Sequence, residues 1–145
     1  MHTTIMSINR LQKFLEKNFP QVSQDFKIIS LNKGEIKVEM LISEKHLRPG
    51  KTVSGPSIFL LADVTFYLAT LSVIGPKALS VTSNANINFM RKPPFGNVFA
   101  NARILKIGKN LIVGDVLVHS SDIEKAVAHA SMTYSIPPSF ENDDN

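Results

Sequence analysis

The sequence predicts an α+β fold, in which one long apolar helix is set against antiparallel strands. Three observations carry that prediction. The run Pro56–Ile74 holds a single charged residue, Asp63, with a proline at its start and Gly75-Pro76 at its stop, the signals of a helix with defined ends. The segments after it alternate apolar and polar residues with a period of two, as half-buried strands do. Turn residues separate those segments, and strands grouped apart from a helix give the α+β class.

Each element follows in chain order. Ser7 to Lys17 reads as a short amphipathic helix, capped by Ser7, with Ile8, Leu11, Phe14 and Leu15 on one stripe. Pro20 is expected to end the neighbourhood of this helix, and residues 1–24 read as an N-terminal helical segment. Phe26, Ile28 and Ile29 suggest a strand, and Asn32-Lys33-Gly34 a hairpin turn. Ile36, Val38, Met40 and Ile42 alternate with polar residues in a second strand. Residues 43–53 read as a loop holding His46, Arg48, Pro49 and Gly50, before the long helix. Leu79–Met90 is a strand in which Ala85, Ile87 and Phe89 alternate with Asn84, Asn86 and Asn88. Pro93–Gly96 breaks it. Val98–Ile107 and Leu111–His119 follow, joined by a turn at Gly108-Lys109-Asn110. After a turn at Ser120–Asp122, Ala126–Ile136 is the last strand, with Ala128, Ala130, Met132 and Tyr134 in one phase. Pro137-Pro138 ends the fold, and residues 139–145 read as a disordered polar tail. The whole, residues 1–145, is a single domain.

Composition narrows the function. A chain with 43% hydrophobic and 19% charged residues is ordinary for a globular protein. With no cysteine, thiolate nucleophiles and disulfides are excluded, and a cytoplasmic location is expected. No basic-then-apolar leader is visible at Met1–Ser7. The apolar run is close to the ~20 residues that span a bilayer, but Asp63, Thr65 and Thr70 interrupt it and no Lys/Arg cluster flanks it, so no membrane is expected. The net charge of +4 comes from scattered Lys and Arg, so no nucleic-acid partner is expected either. The four histidines, His2, His46, His119 and His129, show no metal-ligand spacing and no metal is expected; His129, among alanines, reads as a satisfied strand histidine.

Asp63 is the residue that asks for a reason. An unpaired carboxylate among Leu60, Leu61, Val64 and Phe66 costs several kcal/mol to desolvate unless something uses it. A functional site and a polar helix–helix contact both fit that placement. Ser54-Gly55-Pro56 opens the same helix, and free backbone N–H groups at a helix start suit a developing oxyanion. Asp63 and Gly55 lie eight residues apart, roughly 12 Å along a helix, so they cannot serve one carbonyl from the same chain. If both act on one carbon, the site spans a dimer interface. A helix apolar on every face also needs cover that a single sheet does not supply.

At this point the residues resemble a known family. The block from Gly50 through Ser54-Gly55-Pro56 to Leu60-Leu61-Ala62-Asp63, followed by Thr82–Pro93, resembles the hotdog-fold acyl-CoA thioesterases of the phenylacetate-pathway type. Gly96–Lys109 and Val127–Tyr134 also match that family's strands, so the resemblance covers roughly Ile36 to Pro137. It implies a sheet wrapped around the long helix, homodimers with two interfacial sites, and homotetramers built from them. It implies acyl-CoA as substrate, coenzyme A being part of that substrate and no cofactor needed. The family's catalytic acid falls on Asp63, its oxyanion donor on the Gly55 N–H, and its water-positioning hydroxyl on Thr82 or Ser83. The family's His-Gly-Gly is Ser54-Gly55-Pro56 here, and its upstream Asn is Arg48. With Arg48 and Ser54 as substrate contacts, the acyl group is expected against Phe59, Phe66, Tyr67 and Phe89, and the coenzyme A phosphates against Arg91, Lys92, Lys106 and Lys109. The alternative on the same fold is a non-catalytic acyl-CoA or small acyl ligand binder. A polyanion-binding module and a hotdog dehydratase are further rivals; no His-Asp pair near the helix supports the latter.

Overall fold

A computed structural model of the chain describes residues 3–121 and 123–138. His2, Asp122 and the tail expected to be disordered lie outside the described residues. Two helices open the chain, α1 (Ile8–Asn18) and α2 (Pro20–Ser23). Ser7 caps α1, its side chain accepting from the Arg10 N–H, and Leu11, Phe14 and Leu15 are buried beneath it. Pro20 does not end this region as expected. It occupies the first turn of α2, where its missing N–H removes nothing a helix start would have used.

Strands β1 (Phe26–Asn32) and β2 (Glu35–Met40) form the predicted hairpin. Its turn has positive φ at both Lys33 (49°) and Gly34 (80°), the backbone a tight two-residue hairpin requires. The loop before the long helix is more ordered than expected. It contains a 3₁₀ turn at Glu44–His46 and a small hairpin, β3 (Leu47–Arg48) with β4 (Thr52–Val53). Helix α3 (Gly55–Ile74) then runs for 20 residues to Gly75, whose φ of 96° closes it. Four long strands follow: β5 (Val81–Phe89), β6 (Val98–Ile107), β7 (Leu111–Ser120) and β8 (Ile123–Ser135). The last begins three residues earlier than its apolar phase suggested.

The main sheet has six strands in the order β1-β2-β6-β7-β8-β5, antiparallel at each junction. Alternate residues point at α3: Ile36, Val38 and Met40 from β2, Val98, Ala100 and Ala102 from β6, Ile112, Val116 and Val118 from β7, and Ala128, Ala130 and Met132 from β8. The sheet therefore wraps the helix, as the hotdog reading requires. Small residues let it approach closely. A Cβ on Gly114 of β7 would lie 2.5 Å from the Phe66 ring and inside contact distance of the Arg103 carbonyl oxygen. Helix α3 has the length and apolarity of a membrane-crossing segment, but most of it is buried against these strands and α1. Cover is incomplete along one stripe, where Phe59, Leu60, Asp63 and Val64 are only half-buried.

Strand β5 departs from the simple alternation. Its register shifts between Thr82 and Asn84, so Ser83 is an extra residue opposite no single partner on β8. It is also the sheet edge, exposed over most of its length. Val81 and Phe89 at its ends are 56% and 51% exposed, so the expected half-burial of this strand is not met within one chain.

On the outer face of the sheet, Asp115 joins three strands. Its carboxylate accepts from Arg103 Nε at 2.8 Å and lies 3.0 Å from His129 Nε2. Partial burial pushes the Asp115 carboxyl up, but the hydrogen bonds from Arg103 and His129 outweigh it and hold the group below its ordinary value. His129 is thus a satisfied strand histidine, as its sequence context suggested. A carboxylate depressed on folding stabilises above its unfolded value, near pH 4, and loses that effect as pH falls through the folded value. Asp115→Asn is therefore expected to lower the melting temperature at pH 7, with the difference from wild type narrowing at pH 3. Thermal denaturation at the two pH values checks this; a difference independent of pH contradicts it.

Candidate active site

Asp63 sits two turns inside α3 on the stripe the sheet leaves open. Its carboxylate Oδ1 accepts two hydroxyl hydrogen bonds, from Thr82 Oγ1 at 2.7 Å and from the Tyr134 OH at 2.7 Å. The Tyr134 OH also lies 3.0 Å from the Asp63 backbone carbonyl. Thr82 and Tyr134 are direct cross-strand partners on β5 and β8, so one sheet register places both donors over one helix residue. The sequence reading gave Thr82 to a water; the structure sets it on the carboxylate itself. It missed Tyr134, whose only sequence signal is a hydroxyl in an otherwise aliphatic phase. Ser83, the bulge residue, is exposed on the edge strand.

Asp63 lies at a cavity of about 370 Å³. Leu60, Val64 and Tyr67 from α3 line one side, Leu15 of α1, Val22 of α2 and Phe19 between them the other, with Val81 at the edge strand. The walls are apolar and the carboxylate is a polar point within them, an arrangement that holds an apolar group and presents its head to a charged oxygen. Tyr67 is on this wall, its OH donating to the Ala78 carbonyl at 3.2 Å and its ring edge-on to Phe19 with centroids 5.4 Å apart. Phe66 is not. It is fully buried under the sheet, against Gly114 and beside the Tyr134 ring, and cannot touch a substrate without unfolding that core. Phe59 is half-buried and lines neither this cavity nor the next.

The start of α3 forms a second hollow, of about 360 Å³, lined by Arg48, Gly55, Ile58, Phe89, Arg91 and Lys92 among others. Ser54 caps the helix: its Oγ accepts from the Ser57 N–H at 3.2 Å and its hydroxyl donates to Ser57 Oγ at 3.0 Å. The Ile58 N–H goes to the Ser54 carbonyl and Pro56 has none, so Gly55 carries the one first-turn N–H without a partner among the described residues. Ser54 is therefore a cap that aims this amide, with its own hydroxyl already engaged. Arg91 Nη1 donates to the Ala126 carbonyl at 2.6 Å, which fixes its guanidinium at the rim. Arg48 and Lys92 are exposed beside it. Lys106 and Lys109 lie apart from both hollows, around a shallow depression at the β6–β7 turn. One chain thus brings Asp63, Thr82, Tyr67 and the apolar walls together, brings Gly55, Arg48, Phe89, Arg91 and Lys92 together, and keeps the two groups about 12 Å apart along α3. Among the described residues no cluster of three or more His, Asp or Glu could hold a metal.

A helix enclosed by a six-stranded antiparallel sheet, with an acid on its open stripe, defines a hotdog-fold protein. A family model of the thioesterase superfamily matches residues 50–127, more than half of the chain, and the chain belongs to that superfamily. A putative thioesterase from Silicibacter sp. TM1040 superimposes with a TM-score of 0.88 at 47% identity, over 94% of this chain and 96% of the other. A putative esterase of Saccharolobus solfataricus is 30% identical over 76% of this chain and 81% of its own length. A Streptococcus mutans protein solved with acetyl-CoA bound gives a TM-score of 0.69 at 26% identity, over 77% of this chain and 88% of that one.

Proposed function

We propose that this protein hydrolyses acyl-CoA thioesters at two equivalent sites of a homodimer. The observation that carries the proposal is the Asp63 carboxylate, held by two hydroxyls at an apolar cavity. Acetyl-CoA in the Streptococcus mutans relative supports a coenzyme A thioester as the substrate class. The acyl group lies in the Asp63 cavity. The thioester oxygen accepts the Gly55 N–H, where helix polarity favours developing negative charge. Asp63 takes a proton from water, whose oxygen attacks the carbonyl carbon; the C–S bond breaks, and the thiolate leaves to be protonated by solvent. Direct attack by Asp63 gives the same products through a mixed anhydride. Arg48, Arg91 and Lys92 contact the phosphates.

Two contacts support completion of the site by a second chain. Thr82, at one end of β5, touches Asp63. Phe89, at the other end, lies 3.7 Å from where a Gly55 Cβ would be. An edge strand of nine residues with exposed apolar ends is a ready pairing surface. If β5 pairs antiparallel with its own copy about Ala85, residue 81 faces residue 89 of the other chain. The Phe89–Gly55 end of one protomer then meets the Thr82–Asp63 end of its partner.

Subunit complementation tests both claims. Asp63→Asn removes the acid, and Gly55→Pro removes the amide donor at a position where proline suits a helix start. Each variant alone is expected to be inactive in a thiol-release assay over an acyl-CoA panel. Mixed and allowed to exchange subunits, they are expected to recover about a quarter of wild-type activity, since half of the dimers are mixed and each of those holds one intact site of two. Recovery of no activity, with mixed dimers demonstrated, rejects the shared site. Wild-type protein that binds acyl-CoA and releases thiol from no ester rejects the hydrolase.

A further inference from the structure

We infer that Tyr134 is a positioning residue for Asp63, one that with Thr82 ties down Oδ1 and leaves Oδ2 as the oxygen that works on the substrate. The inference rests on the hydrolase reading for its kinetic consequence and on the hydrogen-bond geometry for the rest.

A carboxylate oxygen has two lone-pair sites. Both on Asp63 Oδ1 are taken at 2.7 Å, one by Thr82 and one by Tyr134. A proton drawn from a reacting water therefore goes to Oδ2. The two donors are not equivalent. Thr82 lies on the exposed edge strand, and its hydroxyl turns on a single bond. Tyr134 is 3% exposed and lies on β8, paired to β5 on one side and to Ile112 of β7 on the other. The rings of Phe66 and Tyr67 flank it at 5.4 and 6.2 Å. Its hydroxyl reaches Asp63 from a rigid base, so it sets the direction in which the carboxylate points.

A comparison with its neighbour sets Tyr134 apart from an ordinary core tyrosine. Tyr67, its neighbour, sends its OH to a backbone carbonyl at 3.2 Å, the usual way to satisfy a buried phenol. Tyr134 also meets a backbone carbonyl, that of Asp63 at 3.0 Å, but its shorter bond, at 2.7 Å, is a charge-assisted one to the carboxylate of that residue, 71 positions away in sequence. Burial first, and the charge of Asp63 second, push the Tyr134 phenol well above its ordinary range. It stays protonated at any working pH, and so acts as a donor and never as the proton acceptor.

The test is Tyr134→Phe, which keeps the ring and its packing and removes one oxygen. The expected result is a kcat ten- to a hundredfold lower, KM within twofold, and a melting temperature close to wild type, as when a catalytic group loses its aim. In protein labelled with carboxyl-¹³C aspartate, the Asp63 resonance, identified by its absence in Asp63→Asn, is expected to move in Tyr134→Phe without substrate present. Thr82→Val, a second variant, is expected to move the same resonance with a smaller loss of kcat. An Asp63 resonance that stays in place in Tyr134→Phe overturns the inference whatever the kinetics. So does wild-type kcat in Tyr134→Phe beside an inactive Asp63→Asn, which leaves the hydrolase standing. Full activity in Asp63→Asn is the different result that removes the hydrolase beneath it.

Discussion

Asp63→Asn is expected to lower kcat on the order of a thousandfold, the range a general base contributes, while KM and melting temperature stay near wild type. The substitution is nearly isosteric. The amide oxygen can still accept from Thr82 and Tyr134, so the cross-strand pair above it keeps its acceptor. What is lost is the ability to take a proton or to attack, which matters only on the way to the transition state and so shows in kcat. Asp63→Ala provides the contrast. It removes the same chemistry and also both short hydroxyl hydrogen bonds, leaving the Tyr134 OH the Asp63 backbone carbonyl at 3.0 Å and the exposed Thr82 hydroxyl to solvent. A side-chain hydrogen bond contributes about 0.5–1.5 kcal/mol, so the alanine variant, which lacks both, is expected to melt measurably lower than the asparagine variant. Thiol release and thermal denaturation of the three proteins side by side check both effects. Wild-type turnover in Asp63→Asn would remove the assignment.

The largest expected effect on stability belongs to Gly114→Ala. Neither obstacle to the added methyl can move cheaply. The Arg103 carbonyl is backbone, held opposite in the β6–β7 ladder, and the Phe66 ring is fully buried in α3. Over-packing by one methyl in a dense core costs up to about 3 kcal/mol, and the backbone contact puts this site at the upper end. For a domain of this size that is a fall in melting temperature on the order of 10 °C. Phe66→Leu in the same chain is expected to relieve only part of it, because the carbonyl contact remains. A Gly114→Ala protein melting within about 2 °C of wild type would mean the sheet can lift off the helix there at little cost.

The long helix and the main strands were legible because their signals are local. Pro56 and Gly75 mark the ends of α3, and the alternations in β2, β6, β7 and β8 each name a buried face. Elements without a period were not. Two-residue strands β3 and β4 are too short to alternate, and a proline at the first turn of α2 looks the same as a proline that ends a helix. Asp63 was legible as the lone charge in an apolar run. The face on which it opens was not, because α3 is apolar on all sides and nothing in its pattern separates Tyr67, on the cavity, from Phe66, in the core. Tyr134 was invisible as a site residue for the opposite reason. It keeps perfect step with Ala128, Ala130 and Met132, and only the β5–β8 register, bulged at Ser83, reveals what its hydroxyl meets.

The placement of α3 in the chain has a consequence for how the protein is made. Residues 55–74 are synthesised before β6, β7 and β8, the strands that enclose them. For the translation of some sixty further residues, at about 5–20 per second, the nascent chain carries an oily cylinder without most of its jacket, and only α1 and the β1–β2 hairpin are on hand to shelter it. Chaperone demand during synthesis should therefore peak between codons 75 and 135, and premature stop products ending in that interval should aggregate where shorter ones remain dispersed.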